Sequence, residues 1–450
     1  MISLRKRLAI IGTVVVSSLA ATSVAHAESV NAGGASFPAN YMKAAQAEFN
    51  KVTGHNLNYG NTAGSSTGQS GFKDGTFDMG GTDSAVSSSR IPSFGWTYVP
   101  YLAGAIGLVY RLDELKGAQL SLSPGTAEAI FNGSISNWND ARIANDMRQN
   151  PTWRNLVRKS SVKGASALWQ NSRTSGTAIV TVALTPAAVK ANKGKRVEVV
   201  NLTTKRVITR KTVGTKSEIA LTLKTDSKAK HEVRVNGKRV ATYQRVKTPT
   251  LPNKPIVVVY RDGSGTSANF SIYMKSVNSR WGTANDFSAN VPGGVSGFGS
   301  RFQKQSDSAA LANYVADTSG SIGYVETSFA FDASRQAKGA RVASLQNNYG
   351  EFITPSAKAY NAFLGAATVA DNGFVTFNFA ARKRGAYPIG AVTYMLAKTA
   401  KSAKSDVVRQ FLEWSTNTYA PKYAEGLGYV PLSGVMKAKS LEMTKKVSAS

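Results

Sequence analysis

Gly33-Gly34-Ala35-Ser36-Phe37-Pro38 runs straight into a helical stretch at 38–52, and this junction decides the fold. On a period of 3.6 residues, Tyr41, Ala45, Phe49 and Val52 share one face, and Gly54 follows as a stop signal. A short strand is expected at 57–59, with a second turn of small residues, Gly64-Ser65-Ser66-Thr67-Gly68, just beyond it. The same alternation of short apolar runs and helical stretches continues from 28 to about 150. Alternation of this kind builds α/β layers.

Upstream of that stretch the chain reads as a secretory leader, 1–27. Arg5, Lys6 and Arg7 form a basic start, 8–24 is mostly apolar, and Ala25-His26-Ala27 offers a small-x-small cleavage site before Glu28. The alternative is a retained membrane anchor, because the apolar run is near the minimum spanning length. No later segment is apolar enough to cross a bilayer. The chain has no cysteine, which excludes disulfides, thiolate metal sites, a cysteine nucleophile and a lipoprotein-type anchor. The mature protein is therefore expected to be exported, to the periplasm or the cell surface, and to act as a monomer.

At 450 residues, two or three compact units are expected. The texture changes after Pro151. Short segments rich in β-branched residues lie at 178–184, 196–200, 206–209, 218–223, 232–235 and 239–243. Val233-Arg234-Val235-Asn236-Gly237-Lys238-Arg239-Val240 reads as a hairpin, since Asn-Gly accepts the positive φ angles of a type I′ turn. Six strands in so short a span suggest a small antiparallel sandwich of immunoglobulin-like character. Beyond 256 the α/β texture returns, so 151–250 is an insertion that splits the α/β unit into 28–150 and 251–450. The formal charge is +29, and the insertion alone holds 22 Lys and Arg against 4 Asp and Glu. Such a field attracts polyanions, or serves only as solubilising charge.

Four segments place glycine or a hydroxyl in a tight turn near a strand end or helix start. They are 33–38, 64–68, Gly80-Gly81-Thr82-Asp83 and Arg261-Asp262-Gly263-Ser264-Gly265-Thr266-Ser267. Each alone reads equally well as a helix cap. Together they supply what a tetrahedral oxyanion needs: helix-start N–H groups, hydroxyl donors and glycines that let the backbone come close. Arg261 adds a guanidinium able to bind in two-pronged fashion.

These segments, with Ile135-Ser136-Asn137-Trp138-Asn139-Asp140, Ser321-Ile322-Gly323-Tyr324-Val325-Glu326 and the string from Tyr423 to Leu432, resemble the periplasmic phosphate-binding proteins of phosphate-specific ABC transporters. The resemblance covers the mature chain outside the insertion. It implies a two-lobed α/β fold with a hinge, lobe crossings near 108–110 and 323–325, and a transporter's membrane subunits as partners. It further implies that Ser36, the Phe37 N–H, Ser65 and Asp83 hold inorganic phosphate from the first lobe. Arg261, Ser264, the Gly265 N–H and Thr266 hold it from the second. Asp83 is informative, because a carboxylate beside an anion is repulsive unless the anion brings a proton. Phosphate does so near neutral pH and sulfate does not. The family has a residue between the arginine and the aspartate of the last loop, whereas Arg261 and Asp262 are adjacent. Strict strand alternation would then put Tyr260 toward the ligand and Arg261 away from it.

Enzymatic readings find little support. With His26 in the leader, only His55 and His231 remain, too few for a histidine metal site. There is no nucleophile elbow and no P-loop. No catalytic residue, metal or cofactor is implied. A rival of a different class is a surface attachment protein, whose basic sandwich binds an anionic polymer and uses the α/β part as scaffold.

Overall fold

The computed structural model describes residues 27–172, 174 and 176–449, so all but Ala27 of the expected leader lies outside the described residues. Strand β1 (Ser29–Gly34), helix α1 (Ala39–Thr53), β2 (Asn56–Asn61), α2 (Ser65–Lys73) and β3 (Met79–Thr82) follow in turn. The strand β1 pairs in parallel with both β2 and β3, as α/β crossovers require. Tyr41, Ala45 and Phe49 of α1 are fully buried, and the helix stops at Gly54 in the left-handed region, φ 76°. Val52 departs from the expected face burial: it is 56% exposed. Its angular position on the helix is right, but the last turn lies beyond the packed layer.

Strand β4 (Trp96–Arg111) has 16 residues, long for a strand, and all of Thr97–Tyr110 is buried. Eight strands then form the insertion: β5 (Trp153–Asn155), β6 (Ala165–Asn171), β7 (Thr177–Leu184), β8 (Arg196–Asn201), β9 (Arg206–Thr212), β10 (Glu218–Lys224), β11 (Lys230–Val235) and β12 (Lys238–Arg245). They make a five-stranded sheet, β9-β8-β11-β12-β5, and a three-stranded sheet, β10-β7-β6. All pairings are antiparallel. The inward valines Val180, Val182, Val197, Val199, Val233 and Val235 build a core shared by both sheets and distinct from that of the α/β body. Asn236 and Gly237 carry φ of 50° and 72°, which is how the β11–β12 hairpin closes. Sequence reading missed β5, β6 and a short helix at Pro186–Asn192. The first is three residues long, the second alternates on weak Ala and Ser, and the helix is capped by Thr185.

The chain leaves and rejoins the body through paired segments. Thr152 O accepts from Val246 N at 2.8 Å, and Ser136 O accepts from Ile256 N at 2.9 Å. Then come β13 (Val257–Tyr260), α3 (Gly265–Val277), β14 (Phe302–Lys304), α4 (Ser308–Asp317), β15 (Ser321–Glu326) and β16 (Gly390–Lys398). The body is built on a ten-stranded sheet along the path β14-β13-β15-β4-β16-β3-β1-β2 with two short strands beside β4, and a three-stranded and a two-stranded sheet of short strands accompany it. The first part of β4 pairs antiparallel with β16 and its last part with β15. The loops after β1, β3 and β13 and the starts of α1, α2, α3 and α4 gather between the two halves. In open α/β sheets that is where ligands bind.

Candidate functional site

The first half contributes Ser36, Phe37, Ser65 and Asp83. Ser36 precedes α1, and its hydroxyl lies 2.9 Å from that of Ser308, across the cleft. The buried Phe37 ring stands edge-on to Tyr429, whose hydroxyl donates to the Phe37 carbonyl at 2.7 Å. Ser65 opens α2, and its hydroxyl accepts from the Asp83 N–H at 3.0 Å. Asp83 follows β3 and is buried; its Oδ1 has no partner among the described residues.

The second half contributes Arg261, Ser264, Gly265 and Thr266. Arg261 is 1% exposed, and its Nη1 donates to Ser308 at 3.0 Å, while Nε and Nη2 have no partner among the described residues. The Tyr260 ring instead stacks on Phe287 at 5.2 Å, so the arginine and not the tyrosine faces the cleft. Strand alternation does not apply because β13 ends at Tyr260. The chain turns there: the Arg261 carbonyl accepts from Phe287 N and the Ser267 hydroxyl, and Gly263 takes φ 67°. Asp262 points elsewhere, to Lys304 at 3.0 Å and the Ser288 N–H at 3.0 Å. The Ser264 hydroxyl caps α3 by accepting from Ser267 N at 3.3 Å. Thr266 is buried, and its hydroxyl has no partner among the described residues. A side chain at Gly265 would collide with the Ser65 hydroxyl, so this close approach of the halves requires glycine.

The halves are stitched across the cleft. Asn269 Nδ2 donates to the Asp83 carbonyl at 2.6 Å, Ser66 N to the Gly263 carbonyl at 3.1 Å, and Asn285 Nδ2 to the Ser66 hydroxyl at 3.1 Å. Two residues that sequence reading missed complete the cluster. The Ser308 hydroxyl donates to Glu326 Oε2 at 3.1 Å, and Glu326 Oε1 is buried without a partner among the described residues. A hydroxyl has one proton to give. With that proton on Glu326, Ser308 accepts from both Arg261 and Ser36. Glu326 ends the segment Ser321–Glu326 that carries the resemblance, whereas Ser308 lies outside every segment singled out from the sequence.

Burial dominates the electrostatics. Asp83 is pushed up to about 7, against the lowering pull of Thr393, Arg261 and Ser65. Glu326 is pushed up to about 8, again by burial first, although Arg261 and Ser308 lower it. Burial also brings the Arg261 guanidinium down, opposed by Glu326, Tyr324, Asp307 and Asp83. The unpartnered groups are thus donors on Arg261 and Thr266 and acceptors on Asp83 and Glu326. Leaving each unmet in a buried site costs about 1–3 kcal/mol. They suit a small anion with several acceptor oxygens and a proton of its own. Among the described residues no group of three or more His, Cys, Asp and Glu gathers to hold a metal.

The PBP superfamily domain matches residues 19–248 and 238–418. The chain belongs to the PBP superfamily. Its relatives in that superfamily include the phosphate-binding protein PstS of Xylella fastidiosa, 27% identical over 412 residues that cover 90% of this chain and 81% of that protein. The protein of the same name from Haemophilus influenzae is 25% identical over 416 residues, covering 91% and 90%. Among solved structures, the periplasmic phosphate-binding protein PfluDING, bound with phosphate, superposes with a TM-score of 0.54 at 17% identity, covering 91% of this chain and 92% of that one. A phosphate-binding protein of Stenotrophomonas maltophilia gives 0.51 at 18%, covering 92% and 93%. This PBP superfamily member shares their two-lobed α/β fold.

Proposed function

We propose that the mature chain is an exported, monomeric binding protein, not an enzyme, that captures inorganic phosphate between its lobes and hands it to the membrane subunits of an ABC transporter. One observation carries the reading. Among the described residues, the unpartnered polar atoms of the cleft include the Arg261 and Thr266 donors set against the Asp83 and Glu326 acceptors, a pattern that matches an oxyanion still carrying a proton. The starts of α1, α2, α3 and α4 adjoin the cleft residues Ser36, Ser65, Ser264 and Ser308, and helix starts offer N–H groups and a favourable dipole to an anion. The names of the relatives agree with this ligand. In this reading the lobes cross near 108–110 and 323–325, a few residues beyond the point between Ala105 and Ile106 where β4 exchanges its partner β16 for β15. Calorimetric titration of the mature chain tests the reading: phosphate binds and sulfate does not, and equal affinity for both refutes it.

A second reading, attachment to an anionic polymer through 151–250, is favoured by the surface charge of the sandwich. Lys193, Lys195, Arg196, Lys205, Arg206, Arg210 and Lys211 are all exposed. Across the outer face of the five-stranded sheet, Arg210, Glu198, Arg234 and Arg239 lie in one cross-strand row. Basic residues on the edge strand β9 also block edge-to-edge pairing, which needs no partner. Titration with duplex DNA at two salt concentrations separates the two roles. Polymer binding falls steeply with added salt. It disappears in a chain joined from Asn150 to Leu251 by a short Gly/Ser linker, which keeps its phosphate affinity. No binding of the full chain at low salt leaves the edge-blocking role alone.

A further inference from the structure

We infer that Glu326 is a positioning residue for Arg261 and, through it, sets the charge state of the anion that the cleft accepts. The inference rests on the phosphate reading above. Arg261 forms no ion pair among the described residues. Its Nη1 donates to the Ser308 hydroxyl at 3.0 Å, and that hydroxyl donates to Glu326 at 3.1 Å. The adjacent acid Asp262 is engaged by Lys304 and the Ser288 N–H, facing away. Glu326 is therefore the counter-charge that reaches the guanidinium, one hydroxyl removed. It also sits on a fixed element: it ends β15, paired with Ile106 of β4, and is 1% exposed.

The groups that face Glu326 come from several elements. Arg261 lies just past the end of β13, Ser308 at the start of α4, Asp83 after β3, and Tyr429 near the C-terminus; Asp307 faces Arg261. With Asp83 and Glu326 both ionised, they and Arg261 sum to one net negative charge before any anion arrives. A dianion entering that set is repelled, in a buried site where screening is weak. A proton on Glu326 removes the surplus. Binding of a dianion thus draws a proton onto Glu326, and affinity falls as the pH rises past the ionisation of this carboxyl, which burial holds near about 8.

The test titrates inorganic phosphate into the mature chain and its Glu326→Gln variant by calorimetry from pH 6.5 to 9.5. Glutamine keeps an oxygen for Ser308 to donate to, so Arg261 stays anchored while the charge is gone. Phosphate's own proton loss is common to both proteins and cancels in the ratio of their dissociation constants. That ratio, wild type over variant, is expected to rise about tenfold across the range, the change that one pKa unit of coupling produces. The variant also takes up fewer protons on binding, read from the dependence of the heat on the buffer. A ratio that stays constant with pH overturns the proposal. Ser308→Ala, which cuts the link without removing either charge, is expected to weaken binding several-fold at pH 6.5, and unaltered affinity there overturns the proposal as well. A wild type that binds no phosphate at any pH is a different result, since it removes the phosphate reading itself.

Discussion

The cleft and the sandwich use positive charge in opposite ways. The sandwich carries 22 of the chain's 55 Lys and Arg, and among its described residues one ion pair, Arg234 with Glu232, forms within it. The cleft uses a single guanidinium. Arg261 is buried with two nitrogens unpartnered, whereas Arg206, Arg210 and Lys211 stand in water. In water the Debye length and the high dielectric reduce each exposed charge to a weak, sequence-blind attraction. In the cleft, desolvation is already imposed by the fold, so one charge acts strongly and at a fixed place. Count and strength are inversely distributed, and burial accounts for the difference.

That contrast fails if the sandwich contributes to ligand capture. Replacing Arg261 by Ala removes a donor from a buried, hydrogen-bonded site, a loss of about 2–5 kcal/mol in comparable cases. Phosphate affinity is expected to fall at least about thirtyfold. Changing Arg206, Arg210 and Lys211 together to Ala removes three charges and is expected to alter phosphate affinity less than about twofold, since exposed charges act weakly at a distance. Calorimetry on both variants makes the comparison directly, and comparable losses would sink it.

A smaller effect concerns stability. Asp83 rises from 3.8 to about 7 and Glu326 from 4.5 to about 8. Both values are raised on folding, so the native state holds these protons more tightly than the unfolded chain. Their contribution is whole below pH 4 and is lost as the pH rises through about 7 and 8. The melting temperature of the anion-free protein should therefore drop between pH 5 and 9, by an amount on the order of a few kcal/mol in stability. A double variant, Asp83→Asn with Glu326→Gln, should flatten the curve. No comparable slope is expected from the charged surface of the sandwich, whose side chains remain in water in the folded chain. A scan in which the double variant keeps the full slope rules out the buried carboxyls as its source.

The smallest effect is on selectivity. Asp83→Asn replaces a repulsive carboxylate with a neutral amide and is expected to narrow the preference for phosphate over sulfate by about tenfold, roughly 1.4 kcal/mol. A preference unchanged in that variant would place the discrimination elsewhere.

How far the sequence could be read depended on the distance between partners. Hydroxyls and glycines at helix starts were legible because the turn and the helix it opens are neighbours in the chain, as at Ser65 and Ser264. The hairpin at Asn236-Gly237 and the valine-rich strands were legible for the same local reason. Ser308 and Glu326 were not, because Ser308 matters only through Ser36, 272 residues away, and through Arg261. Strand alternation pointed Arg261 away from the ligand, because that rule needs an extended backbone and the chain bends just at this residue. The α1 face was read correctly, but not where the packed layer would stop short of Val52.

Strand β4 is one continuous backbone laced to β16 over one stretch and to β15 over another. Neither lobe can melt without tearing a ladder that belongs to the other, so two bodies distinct in shape form one cooperative unit. The sandwich differs, with a core of its own and both ends leaving side by side. The seam of the molecule is therefore expected not between the lobes but at the paired segments near Thr152 and Val246.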